Sequence, residues 1–214
     1  MVERILMDAF DLPSAEAQKW AAIPLESLPP KEATPTGGTE TPDTLEALRQ
    51  ALDEAGQAQD YPRMIALVKR MIALEPEQVP MPRVAQERVA RYHELLGQLA
   101  EQLGQHEEAI EAWNQALELD WTRLAPFEKI VRTLTRLSDW SLLERNYRRM
   151  LRRTVHASAP KNVVFELWRD LGNVYADRLK NSLSAIEAFR MALSMQEDAA
   201  LRARLNELER SSHG

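Results

Sequence analysis

The chain contains no cysteine. That removes disulfides, thiolate nucleophiles and zinc–cysteine sites together, and it fits a reducing compartment, so a cytoplasmic location is expected. Glycine is scarce, with 7 in 214 residues, and aromatics make up only 6%. Beside 44% hydrophobic and 28% charged residues and a mean hydropathy of −0.43, this is a helix-rich, soluble composition. No run approaches the roughly 18 consecutive apolar residues of a membrane span. The opening segment Met1–Asp8 is acidic and lacks an uninterrupted apolar stretch, so a cleaved export signal is not expected.

Recognisable catalytic patterns are missing as well. There is no G-x-x-x-x-G-K-[ST], no G-x-G-x-x-G and no G-x-S-x-G, which leaves no phosphate-cradling loop and no serine nucleophile elbow. His93-Glu94-Leu95-Leu96-Gly97 opens like a helical zinc-protease motif, but glycine stands where the second histidine ligand is required. His106, His156 and His213 are scattered far from other candidate ligands. The expectation is a protein that is not an enzyme and carries no cofactor or metal.

What is present is uneven. Residues 1–120 carry 10 Lys/Arg against 22 Asp/Glu (net −12), residues 121–161 carry 10 against 3 (net +7), and residues 162–214 carry 7 against 8 (net −1). The formal charge of −6 therefore averages over a basic middle segment. Six of the twelve prolines, Pro13 to Pro42, fall in the first 42 residues. With Thr34, Thr36, Gly37, Gly38 and Thr39 among them, residues 23–43 read as a linker. Ahead of it, Ser14 caps a short helix through Ala22. The apolar residues Ile5, Leu6, Phe10, Leu12 and Trp20 either dock on the main body or bind a partner.

From Leu45 onward apolar residues recur at three- and four-residue spacing, the mark of helices, and the pattern repeats about every 34 residues. Between Leu95 and Asp120 two helices meet at Gly104. Gly97, Ala109 and Ala116 allow close approach, and Leu96, Trp113 and Leu117 fill the space between. This resembles the tetratricopeptide repeat of bacterial-type proteins, with its leucine–glycine pair in the first helix and its alanine, aromatic, alanine series in the second. Trp168, Leu171-Gly172, Tyr175, Ala185, Phe189 and Ala192 form a second clear copy with one extra residue, assigned to the turn near Lys180 to Ser184. Residues 45–78 and 124–157 are degenerate copies with bulkier contact residues. Asp60, Asp139 and His106 fall at matching turns, and the segment 79–89 interrupts the array. Trp113, Trp140 and Trp168 are packing residues, whereas Trp121 and Trp20 are unassigned.

The resemblance implies an all-α, tetratricopeptide-like α-solenoid of about four helix-turn-helix repeats (45–78, 90–123, 124–157, 165–199). A C-terminal capping helix at 198–211 closes it and a Pro-rich N-terminal tail, 1–43, precedes the superhelical domain 44–214. It also implies a non-enzymatic adaptor or scaffold whose first helices line a concave groove for an acidic or C-terminal peptide. The groove positions would be Arg49, Gln50 and Asp53, then Arg91, Glu94, Gln98 and Glu101, then Lys129, Arg132 and Arg136, then Glu166, Arg169, Asn173 and Asp177. Lys129, Arg132 and Arg136 share one helix face by spacing alone; they either receive carboxylates or pair with neighbouring acidic groups. A second basic stripe, Arg145, Arg148, Arg149, Arg152 and Arg153, reads either as a site for nucleic acid or an anionic surface, or as a solvated face. The acidic average disfavours nucleic acid. Self-association through the tail or the end repeats is a further expectation.

Overall fold

The structure, a computed structural model, describes residues 44–75, 81–156 and 159–212. The expected short helix at 14–22, the linker and the apolar tail residues lie outside the described residues. The described residues contain nine α-helices and no strand. They divide into two compact units, the first ending at Asp120 and the second beginning at Trp121.

In the first unit α1 (Leu45–Gln57), α2 (Tyr61–Ala73), α3 (Arg83–Gln102) and α4 (His106–Leu119) pack each against the next. The 3.6-residue period puts Leu48, Leu52, Met64, Val68, Met71, Tyr92, Leu96 and Leu99 into one core. The closing Glu75, almost wholly buried, accepts a bond of 2.6 Å from Arg88 Nη2 and a second from Arg88 Nε, so the end of α2 is tied to α3. In the second unit α5 (Leu124–Leu137), α6 (Trp140–His156), α7 (Lys161–Asn173), a π turn (Val174–Arg178), α8 (Ser182–Met195) and α9 (Ala199–Ser212) follow the same order. Leu201 and Leu205 of α9 enter the core formed by Phe165, Ile186, Phe189 and Leu193. The C-terminal helix therefore shields an end that a repeat array otherwise leaves open.

One turn geometry serves all four helix pairs. Gln59, Gly104, Ser138 and Lys180 each adopt positive φ, from 53° to 72°. The next residue's N–H returns to a carbonyl near the end of the first helix: Asp60 to Ala55 at 2.8 Å, Gln105 to Ala100 at 2.9 Å, Asp139 to Leu134 at 3.1 Å and Asn181 to Tyr175 at 2.9 Å. That same residue caps the second helix where its side chain is short enough. Asp60, Asp139 and Asn181 accept from the N–H groups of Arg63, Leu142 and Ser184, whereas Gln105 makes no such bond. Gln105 thus corresponds to Asp60 and Asp139, and His106 begins the helix one position later.

The extra residue of the fourth pair is not in the turn. It is taken up before it, where the Leu179 N–H reaches back five residues to the Val174 carbonyl and winds Val174–Arg178 into a π turn. The left-handed residue, the cap and the start of α8 keep the geometry of the other three pairs.

Small and large residues alternate between helices at one contact. A Cβ on Gly97 would stand 2.4 Å from Trp113 Nε1, and a Cβ on Gly172 would stand 2.3 Å from Phe189 Cε1. Only glycine admits these rings. The corresponding positions of the degenerate pairs hold Leu52 opposite Val68 and Val131 opposite Tyr147. Volume is moved across the contact, most fully in the first pair, which is how a core tolerates substitution at nearly constant packing.

Candidate peptide-binding surface

The first unit offers less than its sequence suggests. Arg91 and Gln98 of α3 are half-buried, and Glu94 is 4% exposed, so Glu94 is an interior residue and not an exposed groove residue. The reason is the wedging of α3 between α2 and α4, which buries Tyr92, Leu95, Leu96, Gly97, Leu99 and Ala100 around most of the helix. Burial depresses the pKa of the neighbouring His93, and the negative charge of Glu111 only partly opposes that. His93 stands where the other pairs place Leu48, Phe127 and Trp168.

On α5 of the second unit Arg132 and Arg136, four residues apart, are both exposed, while Lys129 is half-buried. On α7 the expected ligand-binding groups are already occupied. Arg169 bonds to Glu166 and, at 3.0 Å, to Asp170, and lies 5.8 Å from the centroid of the Phe165 ring. Burial works to lower its pKa, and these two carboxylates raise it overall. Asn173 Oδ1 accepts from Arg204 Nη1 at 2.8 Å, and Asp177 Oδ1 accepts from Arg204 Nη2 at 2.6 Å. Arg204 belongs to α9, and its guanidinium also rests 5.5 Å from the Phe189 centroid. The C-terminal helix therefore contributes to the α7 surface.

The basic stripe of α6 is divided. Arg145, Arg148 and Arg152 are exposed at i, i+3 and i+7, and Arg149 is half-buried. Arg153, 9% exposed, corrects the expectation that it points outward. It follows Asn146 and Met150 on the inner stripe, at the spacing that carries a residue back to the same helix face. Arg148 is 3.4 Å from Glu144, which also accepts from the Tyr175 hydroxyl at 2.6 Å. Burial, then the bond to Glu144, pushes the Tyr175 phenol up to about 12. Arg178 lies 4.6 Å over the Trp140 ring. The π turn thus presents Tyr175 and Arg178 to α6 and Asp177 to α9.

Sequence reasoning missed Arg204, Glu144, and the pairing of Arg178 with Trp140. For Glu144 a signal existed: the repeat register places it with Ile65, Ile110 and Ile186, so a carboxylate there requires a polar partner. For Arg204 there was none, because nothing in the spacing of α9 specifies which carbonyl or carboxylate lies opposite it.

Among the described residues no group of three or more histidine, aspartate or glutamate side chains could hold a metal ion. No described helix is long and apolar enough to cross a membrane.

Stacked helix pairs with one shared turn geometry and a closing helix define an all-α helical-repeat protein of the α-solenoid class. Residues 90–120 match the family model of the tetratricopeptide repeat. No curated protein sequence matches the chain. Among solved structures it is similar to the N-terminal domain of stress-induced protein-1 from C. elegans, with 18% identity over 58% of this chain and 98% of that one, at a TM-score of 0.48. It is also similar to MamA 41-end from Desulfovibrio magneticus RS-1, with 15% identity over 79% of this chain and 97% of that one, at a TM-score of 0.40.

Proposed function

We propose that the chain is a cytoplasmic, non-enzymatic scaffold that captures an acidic peptide segment of a partner protein on the first-helix face of its second unit. The observation that carries this is the pair Arg132 and Arg136, exposed one helical turn apart on α5 within a segment of net charge +7. Guanidinium groups in that arrangement can receive carboxylates in bidentate fashion. Arg169 is less available, because Glu166 and Asp170 already hold it. Substituting Arg132→Glu together with Arg136→Glu should abolish capture of the partner from native extract and leave the thermal unfolding curve within about 1 °C, since both side chains are exposed. Retained capture by this variant would remove the assignment.

A second reading rests on a separate observation, the outward Arg145, Arg148 and Arg152 of α6. They would serve a polyanion such as nucleic acid. Binding of that kind weakens steeply as salt rises, so a salt-titrated gel shift with a flat response eliminates it.

A further inference from the structure

The arginine stripe of α6 has a neighbour from outside its own helix. Tyr175 and Arg178 of the π turn meet α6 at two points on one face. The Tyr175 hydroxyl donates to Glu144 at 2.6 Å, and the Arg178 guanidinium lies 4.6 Å over the ring of Trp140, one helical turn earlier. These two contacts fix the π turn beside the start of α6. Arg178 is exposed, and the half-buried Trp140 beneath it leads directly to Arg145, Arg148 and Arg152, all exposed. Positive charge therefore runs from the π turn over Trp140 and along α6 to Arg152, a line of about 18 Å at a helical rise of ~1.5 Å per residue. Three carboxylates beside this line are engaged. Glu144 accepts from Tyr175 and lies 3.4 Å from Arg148, Asp139 accepts from the Leu142 N–H at 2.9 Å, and Asp177 accepts from Arg204 at 2.6 Å.

We infer that Arg178 is a fourth phosphate-binding residue of this surface, positioned by Trp140, and that the ligand is duplex nucleic acid held by its backbone without regard to sequence. This rests on the polyanion reading of α6 and adds to it a residue, a positioning group and a choice of strand form. Guanidinium groups bind phosphate oxygens in bidentate fashion, and such contacts carry no sequence information. The line of arginine is longer than the ~12 Å width of a major groove, so its two ends can reach phosphates on both sides of one. Single strands are held largely by bases stacking on open aromatic faces. Here Arg178 covers Trp140 and Tyr175 is bonded to Glu144. A lipid surface does not match, because a membrane-bound helix sinks its apolar face between headgroups. That face of α6, with Leu143, Tyr147, Met150 and Leu151, is buried within the protein. The net charge of −6 repels the same polymer, and ~0.1 M salt confines that repulsion to about 10 Å.

The test is a salt titration of the full chain against a fluorescein-labelled mixed-sequence duplex of about 24 base pairs, read by anisotropy between about 50 and 200 mM NaCl. Four phosphate contacts predict a slope of about −3.6 for log affinity against log salt, 0.9 for each phosphate. Arg178→Gln should lessen the slope by about one and weaken binding about tenfold at ~50 mM salt. It should lower the melting temperature by no more than about 3 °C, because only a surface cation–π contact is lost. Trp140→Leu removes the ring that holds Arg178 and should give part of the same loss of slope, restored in Trp140→Phe; a merely structural tryptophan would leave the slope of the folded protein unchanged. Arg145→Gln/Arg148→Gln/Arg152→Gln should remove most of the binding. Wild-type slope and affinity in Arg178→Gln, with loss in the triple variant, would overturn the role of Arg178 and leave the α6 surface standing. Tighter binding to a single strand of the same length, or to phosphatidylserine vesicles, would overturn the duplex assignment. Absence of duplex binding by the wild-type protein, or binding indifferent to salt, would overturn both this inference and the polyanion reading.

Discussion

A methyl group at residue 97 is the sharpest test of the packing described above. In an ordinary helix interior Gly→Ala stabilises by about 1 kcal/mol, because alanine loses less backbone entropy on folding. At Gly97 the new Cβ would fall 2.4 Å from Trp113 Nε1 and 2.5 Å from Cδ1, with Cε2 at 2.9 Å. Ordinary contact is about 3.5–4.0 Å between carbon atoms, so the ring or the helix must move by about 1 Å. Trp113 is 0% exposed, which leaves the indole no open side to move into. Overpacking of this severity costs about 2–3 kcal/mol. After the helical gain is subtracted, Gly97→Ala should destabilise the first unit by about 1–2 kcal/mol in urea unfolding. The same substitution in a Trp113→Leu background meets no ring and should be neutral or stabilising, giving a coupling energy of about 2 kcal/mol between the two sites. Gly104→Ala is the control: with φ at +72° and no atom within 4 Å, it costs about 1–2 kcal/mol of backbone strain with no coupling to Trp113. A stabilised Gly97→Ala protein, or a cost that persists when Trp113 is replaced, would refute the account of why glycine stands there.

Two further outcomes follow from charged groups. Arg88→Ala leaves the Glu75 carboxylate buried without its partner and should cost about 3 kcal/mol by chemical denaturation, with much of the loss recovered in Arg88→Ala/Glu75→Gln. Burial lowers the His93 pKa below its unfolded value near 6.5, so the unfolded chain binds the proton more readily and this contribution to stability is present at neutral pH and falls as pH drops below about 6.5; the urea midpoint should fall less between pH 7.5 and 5.5 in His93→Phe than in the wild type, and equal falls would show that His93 does not contribute.

The helical architecture was legible because it rests on local regularity. The three- and four-residue spacing locates the helices, and the return of Leu-Gly and Ala-aromatic-Ala marks where they pair. What lay beyond reach depends on neighbours distant in the chain. Glu94 has the spacing of a groove residue, yet α3 is enclosed on so many sides that the exposed strip is narrower than the period implies. Arg153 belongs to the inner stripe with Asn146 and Met150, a placement available from spacing alone that the run of arginines obscured. One extra residue between Gly172 and Ala185 is plain in the alignment of the repeats, but spacing does not say whether the turn or the helix before it absorbs the insertion. The hydrogen bond from Leu179 to Val174 decides for the helix. Arg204 is the clearest case of a contact without a local signature, since its partners lie 31 and 27 residues earlier.

The exchange of bulk between facing helices also bears on how such a chain avoids misfolding. Similar repeats along one polypeptide invite the wrong first and second helices to combine, a recurrent failure of repeat proteins. Here the helices are keyed. A helix carrying Leu52 cannot accept the one carrying Trp113, and Gly97 opposite Val68 would leave a void where the indole belongs. The departures that make the first repeat look degenerate therefore disfavour mispaired helices from both sides, by overpacking in one combination and by a void in the other.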